Sequence, residues 1–191
     1  PKYIRVFLSY FLKLFFPFLT DLFSDGRVCA TDHIKKFHKN KNTISTLNFP
    51  TIDFLQEKEN SKRNNKKLSV IYVGVLEKKR GIDYWDNFLK LERVSEIHLV
   101  GKFSPTELEE QYRSKFNNME RVHIYGHRNY SEIKKYIDQC DIGICLIEPN
   151  QAYYESLPTK VFEYLARHKP VITFRFPGLV KLLENKNCCV F

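Results

Sequence analysis

The sequence predicts an α/β fold built on a parallel sheet covered by helices on both faces. Three observations carry this. Five short apolar runs, at 68–73, 96–100, 122–125, 142–147 and 171–174, alternate with helical stretches at 82–93, 105–116, 131–140 and 158–167. Glycines or polar residues follow the strand ends, at Gly74, Gly101 and Gly126, and ligands of such sheets sit beyond the carboxyl ends of the strands. Apolar residues make up 43% of the 191-residue chain and aromatics 15%, ample for a folded core.

Before that region the chain is different in character. Residues 1–67 hold 13 Lys/Arg against 6 Asp/Glu, and residues 68–191 hold 18 against 16, so most of the net charge of +9 lies in the first third. Residues 4–23 are dense in Phe, Leu, Ile, Val and Tyr, but Lys13 and Pro17 argue against a membrane span. The stretch reads as a helix that packs on another domain or lies at a membrane surface. A short strand at 27–30 follows, then a short helix capped by Thr31 or Asp32 and running to His38, then a strand at 43–47. Lys35, Lys36, Lys39 and Lys41 cluster there without the aromatic platform or reader motif of a nucleic-acid surface, so no nucleic acid is expected. Residues 56–67, rich in Asn, Ser, Lys and Arg, read as a linker. The five cysteines show neither Cys-x-x-Cys nor a spacing with His that would hold zinc, and they read as reduced thiols of a cytoplasmic protein. The start at Pro1 reads as that of a fragment.

The chemistry concentrates in Glu155-Ser-Leu-Pro-Thr-Lys-Val-Phe-Glu163-Tyr-Leu-Ala166 and the following Lys169-Pro-Val-Ile-Thr173. Ser156 reads as an N-cap and Pro158 as a first-turn residue of a helix. Val161, Phe162, Leu165 and Ala166 form its core stripe; Lys160, Glu163, Tyr164 and Arg167 form the opposite one. A helix N-terminus attracts a phosphate, Lys160 adds a positive charge beside it, and Glu163 one turn deeper suits the two hydroxyls of a ribose. Glu155, in the preceding loop, can reach a second polyol such as a sugar. The competing reading of this stripe is a row of solvated charges.

This segment resembles the Glu-x7-Glu signature of the retaining GT-B glycosyltransferases of family 4. Both acids, the proline, the Glu-Tyr-Leu-Ala helix and the Pro-Val-Ile strand match in order. Tyr72-Val-Gly-Val-Leu-Glu-Lys-Lys-Arg-Gly81 resembles the same family's Gly-Arg-x-x-x-x-Lys-Gly loop, with Arg80 at its second basic position and Val75 where the first is usually arginine; Lys160 or Lys79 is then the substitute. Val122-His-Ile-Tyr-Gly126 followed by His127 matches the loop that faces the nucleotide base, and Asn48-Phe-Pro-Thr-Ile-Asp-Phe54 resembles the connector leaving the first domain.

The resemblance implies a doubly wound, Rossmann-like donor domain at 68–191, truncated before a final crossover helix, with 1–55 as the tail of the acceptor domain. It implies transfer of a sugar from a nucleotide diphosphate sugar, with retention, to a carbohydrate or lipid-linked acceptor, as in polysaccharide or glycoconjugate synthesis. Arg80, Lys160 and Glu155 would serve catalysis, and Gly74, Arg80, Gly126, His127, Lys160 and Glu163 the donor. No metal or other cofactor is implied. A peripheral membrane contact through 1–41, at the inner face of the membrane, would suit the basic segment. The rival expectations are a nucleotide-sugar epimerase of the same fold and a non-enzymatic basic module that binds membrane or nucleic acid.

Overall fold

The computed structural model describes residues 2–38, 42–55, 67–148 and 154–191. The chain divides into two compact units, Pro1–Asn48 and Phe49–Phe191. The smaller holds α1 (Lys2–Phe23), β1 (Arg27–Cys29), α2 (Asp32–Lys35) and β2 (Thr43–Ser45), the two strands paired in parallel. Of the two caps the sequence offers for α2, Thr31 is the one used, its hydroxyl accepting from the Ile34 N–H. Along α1, Phe11, Phe15, Phe16, Phe18, Leu22 and Phe23 are exposed. Among the described residues, no helix is long and apolar enough to cross a membrane. Lys39 and Lys41 of the basic cluster, and nearly all of the linker at 56–67, lie outside the described residues.

The larger unit opens with α3 (Ile52–Leu55) and continues as β3 (Leu68–Val73), α4 (Trp85–Leu89), β4 (Val94–Val100), α5 (Glu107–Phe116), β5 (Val122–Gly126), α6 (Tyr130–Asp138), β6 (Ile142–Cys145), α7 (Thr159–Ala166), β7 (Val171–Thr173), α8 (Pro177–Leu183) and β8 (Cys189–Val190). All six strands, β3 to β8, run parallel in the order β5-β4-β3-β6-β7-β8. The expected fold class is the one observed. The chain lays β3 in the middle, builds outward to β5, then returns to the other side of β3 with β6. The switch of direction therefore falls between β3 and β6, where the crevice of a doubly wound sheet opens.

Strand pleating sorts the core. Val70 and Tyr72 point to one face, with Leu76, Trp85, Phe88, Tyr112 and Ile144. Ile71 and Val73 point to the other, with Ile137, Cys145, Val161, Tyr164 and Leu179. Thus α4 and α5 cover one face and α6, α7 and α8 the other.

Several boundaries depart from expectation: α2 ends at Lys35 and not at His38, β2 ends at Ser45 and not at residue 47, and α5 starts at Glu107 and not at residue 105. The helix expected over 82–93 is a 3-10 turn, Ile82–Tyr84, followed by the five residues of α4. Pairing takes the rest: Leu68 aligns with Val94 and its N–H donates to the Arg93 carbonyl at 2.7 Å, so β4 starts two residues early and shortens the crossover. At the other end β6 stops at Cys145, the last residue paired with β7, at Thr173, while its pairing with β3 has already ended at Ile71↔Gly143 and the two strands part.

Candidate functional site

The divergence of β3 and β6 is filled from α7. The Val73 N–H donates to the Tyr164 hydroxyl at 2.9 Å, and that hydroxyl lies 3.4 Å from the Ile144 carbonyl, taking the place of a ladder bond the separated strands cannot make. Only glycine at 143 leaves room for the Tyr164 ring, since a Cβ there would collide with it. This fixes α7 close over the strand ends.

Lys160 leaves the first turn of α7 and is buried. Its Nζ stands 3.9 Å from the centroid of the Tyr72 ring and has no hydrogen-bond partner among the described residues. The same Nζ lies 2.9 Å from where a Cβ at Gly74 would be, so the ammonium sits against bare backbone at the end of β3. Gly101, at the end of β4, closes the other side: its N–H donates to the Gly126 carbonyl, and a side chain there would strike the Gly74 carbonyl. Burial lowers the pKa of Lys160 to about 8, with Arg80 adding to the effect and Cys145, Glu163 and Glu77 opposing it.

Arg80 reaches the same place from the loop after β3. Its Nε pairs with Glu77 Oε1 at 2.6 Å, and its guanidinium meets the Tyr72 hydroxyl, which itself donates to the Val75 carbonyl at 2.7 Å. Of the two substitutes considered for the basic residue missing at Val75, Lys160 stands at Gly74, whereas Lys79 is exposed. Glu163 is buried one turn along α7 beside Lys160, facing the Tyr130 hydroxyl at the start of α6; burial raises its pKa. Glu155 is half-buried in the loop before α7, its carbonyl near Gly178, and its carboxylate makes no hydrogen bond or ion pair among the described residues. Residues 149–153 of that loop lie outside the described residues.

A cavity of about 240 Å³ opens at Gly74, lined by the ends of β3 and β4 and by Lys102, His127, Arg128 and Ile133. It places Gly74 and exposed His127 on one wall system, with Gly126 adjacent in the chain. Gly74 thus belongs both to this cavity, whose lining includes the cations Lys102 and Arg128, and to the corner held by Lys160 and Arg80.

Two expectations, Ser156 as the N-cap and Pro158 in the first turn, are corrected, and the competing reading of the stripe as solvated charges is excluded. Ser156 does not cap α7: Pro158 holds the N-cap position with no side-chain cap, and the Ser156 hydroxyl is buried without a partner among the described residues. The stripe of Lys160, Glu163, Tyr164 and Arg167 is not solvated, because α7 is packed on both sides. Arg167 pairs with buried Asp138 and donates to the Phe54 carbonyl at 2.9 Å. Sequence reasoning missed Tyr72, Tyr130, Gly143 and Glu77; of these only Glu77, three residues before Arg80, carried a local signal as an ion-pair partner.

The family model of the glycosyl transferases group 1 matches residues 53–190. The chain belongs to this family. Among solved structures of similar fold is Anabaena Alr3699/HepE in complex with UDP and glucose (16% identity, TM-score 0.62, 87% of this chain and 49% of that one). A glycosyltransferase from Rickettsia africae ESF-5 is similar at 15% identity and TM-score 0.64, over 83% of this chain and 46% of that one. S. aureus TarM, in complex with fondaparinux, alpha-GlcNAc-glycerol and UDP, is similar at 15% identity and TM-score 0.60, over 90% of this chain and 34% of that one. The chain spans half or less of the length of these structures. No curated protein matches it.

Proposed function

We propose that this chain is the donor-binding half of a family 4 glycosyltransferase, which moves a sugar from a nucleotide diphosphate sugar to a carbohydrate or lipid-linked acceptor with retention. The observation that carries the reading is Lys160 Nζ: a buried ammonium with no hydrogen-bond partner among the described residues, against the bare backbone of Gly74. A buried polar group in that condition calls for a ligand that satisfies it, and for a cation that ligand is an anion. Arg80 beside it makes a second cation, and the α7 N-terminus without a side-chain cap adds free N–H groups, a combination suited to a diphosphate.

In the proposed reaction the acceptor hydroxyl oxygen bonds to the anomeric carbon on the face from which the diphosphate departs. The bond from that carbon to the diphosphate oxygen breaks with its electron pair leaving on the phosphate, and the acceptor's proton passes to that phosphate oxygen. Lys160 and Arg80 stabilise the charge that grows there, an electrostatic role without metal. Glu163 holds the ribose and Glu155 orients the donor sugar. The cavity at Gly74 is smaller than the roughly 300–1,000 Å³ of a whole small-molecule site and suits one part of the donor, the base, with His127 at its rim. Residues 68–191 form the donor domain, 1–55 the tail of the acceptor domain and 56–67 the linker between. Residues 1–41, with exposed phenylalanines along α1, contact the inner face of the membrane from the cytoplasm.

The test is a titration of the chain with UDP, GDP and ADP and their sugar conjugates, in the original and in Lys160→Met and Glu163→Ala. HepE and TarM are both seen with UDP, which makes UDP the first probe. Saturable binding of one diphosphate, weakened at least tenfold in Lys160→Met, is expected. Binding of all three diphosphates unaffected by either substitution would contradict the assignment of the site.

A further inference from the structure

The face of β4 and β5 that packs toward α6 holds a second cluster, away from the strand ends. His98 and His123 are register partners on these neighbouring parallel strands, and alternation puts Glu96 on the same face as His98, and Tyr125 on the same face as His123. Glu96 Oε2 lies 3.1 Å from His98 Nε2, and one ligand atom from each of Glu96, His98 and His123 falls within 4.8 Å of the others. The two imidazoles stack with centroids 4.8 Å apart.

We propose that Glu96, His98 and His123 bind a divalent transition-metal ion, zinc or a close relative. Two imidazoles and one carboxylate are a donor set for such ions, whereas magnesium and calcium take oxygen ligands. Around an ion with bonds of about 2.0–2.1 Å, tetrahedral ligand atoms are roughly 3.3 Å apart. The Glu96–His98 pair already stands at that separation, and rotation of half-buried His123 closes the two remaining edges, which lie within 4.8 Å. The orientation of His98 favours ligation, since the Tyr125 hydroxyl, 2.9 Å from Nδ1, engages that nitrogen and leaves Nε2 aimed at Glu96.

A simple Glu96–His98 hydrogen bond accounts for two of the residues and not the third. His123 makes ring contacts with His98 and Tyr125 but no hydrogen bond among the described residues, so a ligating nitrogen is available. The Glu96 side chain is 36% exposed on a strand next to the edge of the sheet, which gives an ion a way in and leaves room for a water ligand. Such an ion would tie β5 to β4. It is independent of the donor site, and its failure would leave the proposed transfer untouched.

Equilibrium dialysis of the whole chain against zinc tests this, with Glu96→Gln and His123→Gln in parallel and folding checked by circular dichroism. Glu96→Gln changes a partly exposed side chain and keeps its size, so it is the variant that remains folded. One zinc per chain is expected in the original, weakened at least tenfold in both variants, with Tyr125→Phe costing about tenfold through loss of the supporting hydroxyl. Cobalt should give visible absorption of nitrogen and oxygen ligands without a thiolate band. No zinc retained by the original chain, equal retention in Glu96→Gln and His123→Gln, or a thiolate band that places the ion on cysteines would each overturn the proposal.

Discussion

Lys160 sets the energetics of the unliganded site. Its proton is held up to about pH 10.5 in the unfolded chain but only up to about 8 in the folded one, because burial disfavours the charge. The unfolded state therefore binds more protons between these values, and stability rises with pH across that window. Below about pH 8 the penalty is present in full. Lys160→Met should then stabilise the unliganded protein at pH 7 by roughly 1–3 kcal/mol, and the gain should disappear above about pH 10.5. Denaturant melts at the two pH values check this; a destabilised variant at pH 7 would show that the ammonium has a partner. Glu163 works in the opposite sense. Its raised pKa means the folded state keeps a proton longer, so its contribution falls as pH climbs from the ordinary carboxylate range through the raised value. Both residues were legible from their place in the Glu-x7-Glu segment. Their burial was not, since a charged stripe on a helix reads as solvated until the packing on that side is known.

At the scale of elements, the decisive piece is α7 over the parting of β3 and β6. Gly143→Ala would drive a methyl into the Tyr164 ring and should cost roughly 2–3 kcal/mol, read as a lowered melting temperature. Tyr164→Phe should cost about 1–3 kcal/mol by leaving the Val73 N–H without its acceptor. The position of α7 followed from its periodicity and the proline at its start, to within a residue. The part Tyr164 plays did not, because it depends on two strands that run together for two residue pairs and then separate, a fact of pairing and not of pattern. The shortened α4 has the same cause. So does the Glu96, His98 and His123 cluster: Glu96 and His98 share a strand, but His123 joins them only through the parallel register of β4 with β5. Metal-ligand spacing in a linear sequence cannot reveal a site that lateral pairing assembles.

At the scale of the whole molecule, the alternation of strands and helices was enough to foresee a parallel sheet with both faces covered. The strand order, and with it the location of the crevice at β3 and β6, came from the structure. The larger unit is closed by a buried ion pair: Arg167, 1% exposed, pairs with Asp138 at the end of α6 and donates to the Phe54 carbonyl of α3. This ties the segment from Phe49 to the sheet that follows the linker. Asp138→Ala strands the guanidinium in the interior and should cost roughly 3–5 kcal/mol, measured by denaturant melts. A loss below about 1 kcal/mol would mean that solvent reaches Arg167 and that α3 is not held there.

The most direct test of the central claim, that Lys160 is the buried cation waiting for a diphosphate, is proton uptake on UDP binding, measured calorimetrically in buffers of different ionisation heat. A diphosphate beside the ammonium should raise its pKa well above the unliganded value of about 8. Uptake should be slight at about pH 7, should reach most of one proton near pH 8.5, and should vanish in Lys160→Met. UDP binding with no proton exchange at either pH, or with uptake that persists in Lys160→Met, would contradict the account.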